Sequence, residues 1–195
     1  MEQEIKYFTQ TELKKLFKTI EKSDYRHKVR DLAAFRVAYR CGLRASELGL
    51  IQLQHYNKAQ GELYCTRLKN SWNNTIRLDK ETQKALDKHI KAYSITSSTE
   101  LIFKSQEGAP ISRKTLDHWT KKYCIDAKIE DKTKHHFHSL KHACEVHLAE
   151  SGLDIKEVNF WLAHKNIENT MVYFRFTTKQ QEAMYAKLEK QNAFV

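Results

Sequence analysis

Amphipathic segments with the period of an α-helix recur along most of this 195-residue chain, and they constrain its fold more than any other feature. The first begins at Thr9, where Glu12 completes the spacing of a capping box and the apolar residues that follow share one face. Asp154 and Glu157 repeat that spacing late in the chain, and Gly42 is placed to end a helix. The long helices predicted in this way cover residues 9–22, 26–40, 80–93, 113–127, 139–150, 154–164 and 178–190.

The stretch from Gln52 to Leu78 departs from the helical pattern. GELYCTRL and NTIRL are short β-prone runs within it, and an Asn/Ser-rich connection, LKNSWNN, lies between them. Such runs joined in this way predict a β-hairpin. The predicted fold is therefore mainly α-helical with one small antiparallel sheet, which is an α+β class. The length of the chain suits one hydrophobic core, so we expect a single domain over residues 1–195.

The strongly basic composition favours a polyanionic partner. Lys and Arg number 34 against 24 Asp and Glu, for a net charge of +10, and neutralised phosphates release counterions. Composition cannot show where this charge lies. No apolar run reaches the ~18 residues of a membrane span, and the N-terminal MEQEIKYFTQ lacks the features of a signal peptide. We therefore expect a cytoplasmic protein without membrane contact, and four cysteines without CxxC spacing predict no disulfide framework.

The candidate chemistry is concentrated in residues 135–176. His138 and Lys141 open a predicted helix there, His164 comes about two helices later, and Tyr173 lies nine residues beyond it. A tyrosine that cuts a phosphodiester must lose its proton although the pKa of a phenol is about 10. Fixed donors must stabilise the charge that grows on the phosphate, and the leaving 5′ oxygen must be protonated. Imidazoles and cations are suited to those tasks.

Two residues outside this stretch are candidates for the same phosphate. Arg44 has the planar fork that binds phosphate with two parallel bonds, although an arginine three residues before Glu47 is also typical of a surface ion pair. Lys69 lies where the first β-run gives way to the turn, and turn lysines are usually solvated. Tyr173 taken alone is typical of an aromatic packing residue. The histidines lack an HExxH motif or any other complete ligand spacing, so no metal site is predicted.

Taken in order, these motifs resemble the catalytic domain of the tyrosine recombinases, the phage-integrase family. CGLRASEL resembles the first arginine box of the family, HSLKH the His-x-x-Arg-His box, and WLAHKNIENTMVYF the Leu-Gly-His box with its following tyrosine. The lysine of LKNSWNN falls where the family places its hairpin lysine. The resemblance spans roughly residues 9–190 and implies the fold of the DNA breaking-rejoining enzymes. The catalytic residues that it implies are Arg44, Lys69, His138, Lys141, His164 and Tyr173, with Glu47 and His142 in support.

The chain departs from the family pattern at two positions. Lys141 stands where the family has its second arginine, and lysine keeps the charge but loses the bidentate fork. Loss of one transition-state donor would lower the rate on the order of 10²-fold or more. Ala163 replaces the usual glycine, which we expect to be the milder change because alanine suits a helix end. The chain is similar in extent to the short fimbrial-type invertases, so we expect no separate N-terminal core-binding domain.

The resemblance implies a site-specific recombinase, of the kind found on mobile genetic elements, that cuts and rejoins double-stranded DNA. Its intermediate is a 3′-phosphotyrosine link, and the reaction needs no metal, cofactor or ATP. The resemblance also implies a nucleoid-associated homotetramer on two DNA sites, in which residues 178–195 reach a neighbour, with accessory DNA-bending proteins as candidate partners. Two alternatives stay open: a weakened recombinase that acts as a DNA-binding regulator, and a type IB topoisomerase-like nicking-closing enzyme.

Overall fold

Helices form most of the chain, and their ends lie close to the residues that the capping signals predict. The structure is a computed structural model that describes residues 5–69, 71–174 and 178–190. Thr9 and Asp154 form the two predicted capping boxes with Glu12 and Glu157. The helices of the described part of the chain are α1 (Gln10–Lys22), α2 (Lys28–Cys41), α3 (Ala45–Leu48), α4 (Lys80–Ala92), α5 (Arg113–Asp126), α6 (His138–Glu150), α7 (Ile155–Leu162), α8 (Glu168–Phe174) and α9 (Thr178–Lys190).

The predicted hairpin forms the larger part of a three-stranded antiparallel sheet. The strands lie in the order β1 (Tyr56–Asn57), β2 (Glu62–Cys65) and β3 (Asn74–Arg77). β2 and β3 pair with Leu63 opposite Ile76, and both of these side chains are buried in the core. The sequence does not predict β1, because two residues carry no alternation pattern. The mainly helical α+β class is confirmed.

The hydrophobic core is built around α2, which packs against α1, α4 and α6. Phe35 is fully buried and lies edge-on to Phe137 and Tyr123, with ring centroids 5.3 and 5.8 Å away. The Tyr123 hydroxyl donates to Asp31 at 2.9 Å, and Arg30 donates to the same carboxylate, so this buried charge is paired. Because Phe137 immediately precedes α6, its contact with Phe35 fixes where that helix begins.

α7 ends two residues before its predicted limit, in a left-handed turn at Ala163 (φ 56°). The expectation that alanine suits this position is wrong, because the Cβ of an L-residue crowds the following carbonyl oxygen in the left-handed region. Gly42, which ends α2 at φ 62°, adopts the same conformation without that cost. The connection between β2 and β3 holds the turn, since the Trp72 N–H donates to the Ala163 carbonyl at 2.8 Å and Ser71 pairs with His164.

A fully buried carboxylate joins α3 to the hairpin. Glu47 accepts hydrogen bonds from the backbone N–H groups of Arg44 (2.9 Å) and Leu68 (3.0 Å) and from the Arg44 guanidinium (2.7 Å). Burial alone would raise the pKa of the Glu47 carboxyl, but these donors together lower it below its usual range. The Arg67 guanidinium lies 3.9 Å from Glu47 and donates to the backbone at the end of α2. The end of α2, the start of α3 and the residues after β2 are thus held together.

The predicted C-terminal helix is present as α9. The apolar Ala-Phe-Val end of the chain, which is expected to dock on a neighbour, lies outside the described residues. No helix within the described ranges combines the length and the apolar composition that crossing a bilayer requires.

We expect Ala163→Gly to stabilise the folded chain. Glycine avoids the steric cost of about 1–2 kcal/mol that a Cβ incurs in the left-handed region, and this gain exceeds the entropy that glycine loses on folding. The free energy of unfolding, measured with urea, should therefore rise by about 0.5–1 kcal/mol. Ala92→Gly is the matched control, because Ala92 is exposed and helical in the last turn of α4, where glycine should be destabilising. A less stable Ala163→Gly variant would contradict this expectation.

We expect Glu47→Gln to lower the free energy of unfolding by about 3 kcal/mol at pH 7, because it leaves the buried Arg67 and the partly buried Arg44 without their counter-ion. The folded pKa of Glu47 lies below the unfolded value of about 4.3. The stabilisation is therefore fully present above that value and is lost as the pH falls through the folded pKa. Urea unfolding of both chains at several pH values measures this difference, which should shrink in acid. Glu130→Gln, at an exposed glutamate, should change stability by less than about 0.5 kcal/mol, and an equal effect of the two substitutions would refute the role of Glu47.

Candidate active site

One cleft of about 870 Å³ brings together every residue that the family resemblance implies to be catalytic. The start of α3, the connection between β2 and β3, the first turns of α6, the end of α7 and α8 all contribute to its lining. The members of the implied set that line the cleft are Arg44, Lys69, His138, Lys141, His164 and Tyr173, together with His142. Glu47, the other supporting residue, is buried and pairs with Arg44.

Arg44 is held in the cleft through one of its guanidinium nitrogens. Nη1 donates to Glu47 Oε1 at 2.7 Å and to the Leu68 carbonyl at 3.2 Å, and a quarter of the side chain is exposed. Among the described residues, Nε and Nη2 have no acceptor. A planar guanidinium that is fixed in this way can use those two nitrogens to bind an anion.

Lys69 is exposed and lines the cleft from the connection between β2 and β3. Its backbone has a positive φ of 54°, as expected in a tight turn after a strand. Exposure alone would fit a solvated turn lysine, so its place in the cleft is the observation that supports a chemical role. Trp72, nearby in the same connection, is 63% exposed with Lys165 Nζ 4.5 Å from its ring centroid. Trp72 is therefore not a core residue.

Three side chains of α6 enter the cleft: His138, Lys141 and His142. Lys141 is buried, and its ammonium pairs with Glu145 one turn further along the helix. Glu145 is fully buried, and its other oxygen lies 3.1 Å from His142 Nδ1. Glu145 is not among the residues that the sequence motifs predict, although a separation of four residues from Lys141 is the usual signal of an ion pair on one helix.

His164 is buried in the turn that follows α7. Its Nδ1 lies 3.0 Å from the Thr170 hydroxyl, and its Nε2 lies 3.7 Å from Glu145 Oε1. The Thr170 hydroxyl donates to Asn159 Oδ1 at 2.8 Å, and the Asn159 amide donates to the His164 carbonyl at 3.0 Å. The sequence motifs do not predict Thr170 and Asn159, because hydrogen bonds between side chains of two different helices leave no spacing signal.

Burial keeps the imidazoles of the cleft neutral at pH 7. It is the largest cause that lowers the pKa of His138 to about 4, of His142 to about 3 and of His164 to about 4, and the Lys141 charge lowers all three further. Burial, followed by the Arg44 guanidinium, also lowers the pKa of the Lys141 ammonium to about 7. The protonation of Lys141 is therefore sensitive to pH near neutrality.

The ring of Tyr173 packs against α6, and its hydroxyl points toward the same helix. The phenol oxygen lies 3.3 Å from His142 Nδ1, and the ring is buried against Val146 and Ala149. Burial raises the pKa of the phenol to about 12, and the Arg44 guanidinium acts in the opposite direction. Tyr173 is thus both a packing residue and a cleft residue, and its hydroxyl is protonated at neutral pH.

The arrangement is suited to an anion that reacts with a phenol. Arg44 and Lys141 each have a buried carboxylate as counter-ion, and neutral imidazoles and Tyr173 share the same cleft. Donors that are fixed before the anion enters stabilise charge that develops during a reaction. In the part of the chain that the structure describes, no three His, Cys, Asp or Glu side chains are grouped as metal ligands would be.

The sequence is similar to those of known recombinases. A profile of the phage integrase family matches residues 6–180. The type 1 fimbriae regulatory protein FimE of Escherichia coli K12 is 30% identical over 169 residues, which cover 85% of this chain and 82% of FimE. The tyrosine recombinase XerD of Proteus mirabilis is 29% identical over 161 residues, covering 80% of this chain and 51% of XerD. The chain thus spans about half the length of XerD.

The fold is similar to that of solved recombinases. The crystal structure of XerH recombinase, bound to a palindromic difH substrate after cleavage, superposes with a TM-score of 0.79 over 95% of this chain and 54% of XerH. The two sequences are 16% identical, so this likeness shows the fold alone. The family profile spans most of the chain, and FimE is related over most of both proteins. The chain therefore belongs to the phage integrase family, the tyrosine-type site-specific recombinases, as its motifs predict.

Proposed function

We propose that this chain is a site-specific recombinase that cuts and rejoins double-stranded DNA through a covalent 3′-phosphotyrosine intermediate. The observation that carries the proposal is that Arg44, Lys141 and Tyr173, which are distant in sequence, line one cleft. Family membership favours recombination over the regulator and topoisomerase-like alternatives. XerH is bound to its difH substrate in the crystal, and the net charge of +10 suits the same class of partner.

In the proposed cleavage step, the Tyr173 oxygen attacks the phosphorus and the bond from phosphorus to the 5′ oxygen breaks. Arg44 and Lys141 bind the non-bridging oxygens, whose negative charge grows in the transition state. His138 and His164 provide further donors to the same oxygens. Pairing with buried carboxylates holds the two cations in place before the DNA enters, which avoids reorganisation during the reaction.

Two proton transfers complete the step. Lys69, which is exposed in the cleft, protonates the leaving 5′ oxygen as the general acid. The nearest described group to the Tyr173 hydroxyl is His142 Nδ1 at 3.3 Å, but this nitrogen carries a proton because it lies 3.1 Å from the Glu145 carboxylate, which can only accept. The phenol proton of Tyr173 therefore passes to water as the oxygen attacks. Rejoining reverses these transfers, when the 5′ hydroxyl of a partner strand attacks the phosphotyrosine. The link conserves the energy of the phosphodiester bond, so the proposed reaction uses neither ATP nor a metal ion.

The proposal includes a homotetramer on two DNA sites, aided by accessory DNA-bending proteins. Residues 178–195 would contact a neighbouring subunit. Support comes from α9, on which Met184 and Tyr185 are 49% and 58% exposed. Large apolar side chains exposed together on one helix are typical of a surface that another chain covers.

Tyr173→Phe should abolish the covalent protein–DNA adduct, because it removes the attacking oxygen and leaves the ring packing in place. The substrate is a nicked duplex that traps the intermediate, selected from random-sequence DNA by its binding to the chain. Denaturing electrophoresis measures the adduct. Tyr64→Phe is the matched control, since Tyr64 is 39% exposed on β2 and does not line the cleft. An adduct that survives Tyr173→Phe, or no adduct from either wild type or control, would refute the proposal.

Lys141→Arg should change the pH dependence of adduct formation. The Lys141 pKa of about 7 means that the free protein loses this ammonium as the pH rises through neutrality, whereas a guanidinium stays charged. The ratio of the second-order rate constants, variant over wild type, should therefore rise by about tenfold per pH unit above pH 7. Ionisation of Tyr173 affects both chains and cancels in the ratio. A ratio that stays flat from pH 6 to about 9 would contradict the expectation that loss of the Lys141 proton limits the reaction.

A further inference from the structure

The hydrogen bonds around His164 determine which of its ring nitrogens carries the proton. His164 is 7% exposed, and Thr170 on α8 is fully buried, so solvent does not compete for either group. Nδ1 of His164 and the Thr170 hydroxyl oxygen are 3.0 Å apart. Either atom can donate in such a pair, and the next hydrogen bond, from Thr170 to Asn159, decides between them.

The Asn159 amide sets the direction of these hydrogen bonds. Its Nδ2 donates to the His164 carbonyl at 3.0 Å, and the opposite amide orientation would place two acceptor oxygens together. Oδ1 therefore faces the Thr170 hydroxyl, which donates its single proton to it at 2.8 Å. A hydroxyl that has given its proton to Asn159 can only accept from His164. The neutral imidazole thus carries its proton on Nδ1, and Nε2 has a free lone pair.

We infer that Thr170 and Asn159 are positioning residues that hold neutral His164 as the Nδ1–H tautomer, so that His164 binds an anion only after Nε2 takes up a proton. The identity of that anion as a DNA phosphate rests on the proposed function, but the tautomer does not. The Glu145 carboxylate stabilises the imidazolium once it forms, because its Oε1 lies 3.7 Å from Nε2. Anion binding at His164 is then coupled to the uptake of one proton.

Charged neighbours determine how readily this proton is taken up. Burial, and after it the Lys141 charge, lowers the pKa of His164 to about 4, so the ring is neutral at pH 7 when no anion is present. An anion in the cleft acts in the opposite direction from the cationic neighbours and raises that pKa. The charged groups that face His164 are Lys141 and Glu145 from α6, Arg44 and Glu47 from α3 and its N-terminal cap, and Arg67 from the residues after β2.

Nitrogen NMR of the histidine rings tests the inference on the whole chain. Long-range proton–nitrogen spectra distinguish the two neutral tautomers, and His164→Gln identifies the signals of His164. Without added anion at neutral pH, we expect a protonated Nδ1 and an unprotonated Nε2. Sodium sulfate is the probe, because it has the shape and charge of a phosphate and does not titrate near neutral pH. Its addition should leave both nitrogens protonated.

Substitutions at Thr170 separate the tautomer from a general structural role. Thr170→Val keeps the shape but removes the acceptor, so signals of both tautomers should appear and neutral Nε2–H should bind sulfate without proton uptake. Above the His164 pKa, the sulfate affinity of the wild type should fall with pH more steeply than that of His164→Gln. The difference between the two slopes should be about tenfold per pH unit, as expected for one proton. Thr170→Val should lose part of this extra slope. Thr170→Ser retains the hydroxyl and should restore both the tautomer and the slope.

A wild-type His164 with its proton on Nε2 would overturn the inference, as would equal pH slopes of sulfate affinity in the wild type and His164→Gln. The tautomer is measured on the wild type, so the inference stays falsifiable even when Thr170→Val does not fold. Absence of a Tyr173 adduct would refute the proposed function and would leave the tautomer result intact.

Discussion

The buried carboxylate of Glu47 is the interaction on which the geometry of the cleft depends. Its oxygens accept hydrogen bonds from the backbone N–H groups of Arg44, before α3, and of Leu68, after β2. Removal of a carboxylate from water is costly, and that cost is offset only where several donors converge on the charge. The connection between β2 and β3 therefore has one favourable position relative to α3. That position brings Arg44 and Lys69 to the same cleft.

Glu145 repeats this arrangement within α6, where it pairs with Lys141 and also lies near His142 and His164. Each of the two cations thus has a carboxylate that orients it, and an entering phosphate meets donors that are already in place. The same pairing has a cost for binding, because the phosphate competes with Glu145 for Lys141. Burial of the whole cluster strengthens these electrostatic effects and keeps the imidazoles of His142 and His164 neutral at pH 7.

Local signals in the sequence predict most of the fold and the candidate residues that line the cleft. The capping box at Thr9 and the glycine at position 42 act within one turn, so their residues are readable from spacing alone. The left-handed turn at Ala163 is not readable in this way, because the β2–β3 connection imposes it from outside the helix. Glu145 has a readable separation from Lys141, but only the fold shows that this pair is buried in the cleft. The contact of Thr170 with His164 depends on how α8 packs, which spacing does not specify.

The contact with Glu145 changes the expected effect of having lysine instead of arginine at position 141. A buried guanidinium stays charged, whereas a buried ammonium loses its proton more easily, and the Glu145 carboxylate opposes that loss. Where the family pattern has an arginine with a permanent charge, this chain therefore has a Lys141–Glu145 pair whose charge depends on pH. In the proposed reaction, His164 is a second group that must hold a proton to bind the phosphate, while Tyr173, whose pKa is raised to about 12, must lose one to attack it. These demands oppose each other, and a bound phosphate eases the conflict because its charge raises the pKa of Lys141 and His164. The anion to be cut is thus also the group that completes the protonation state of the site.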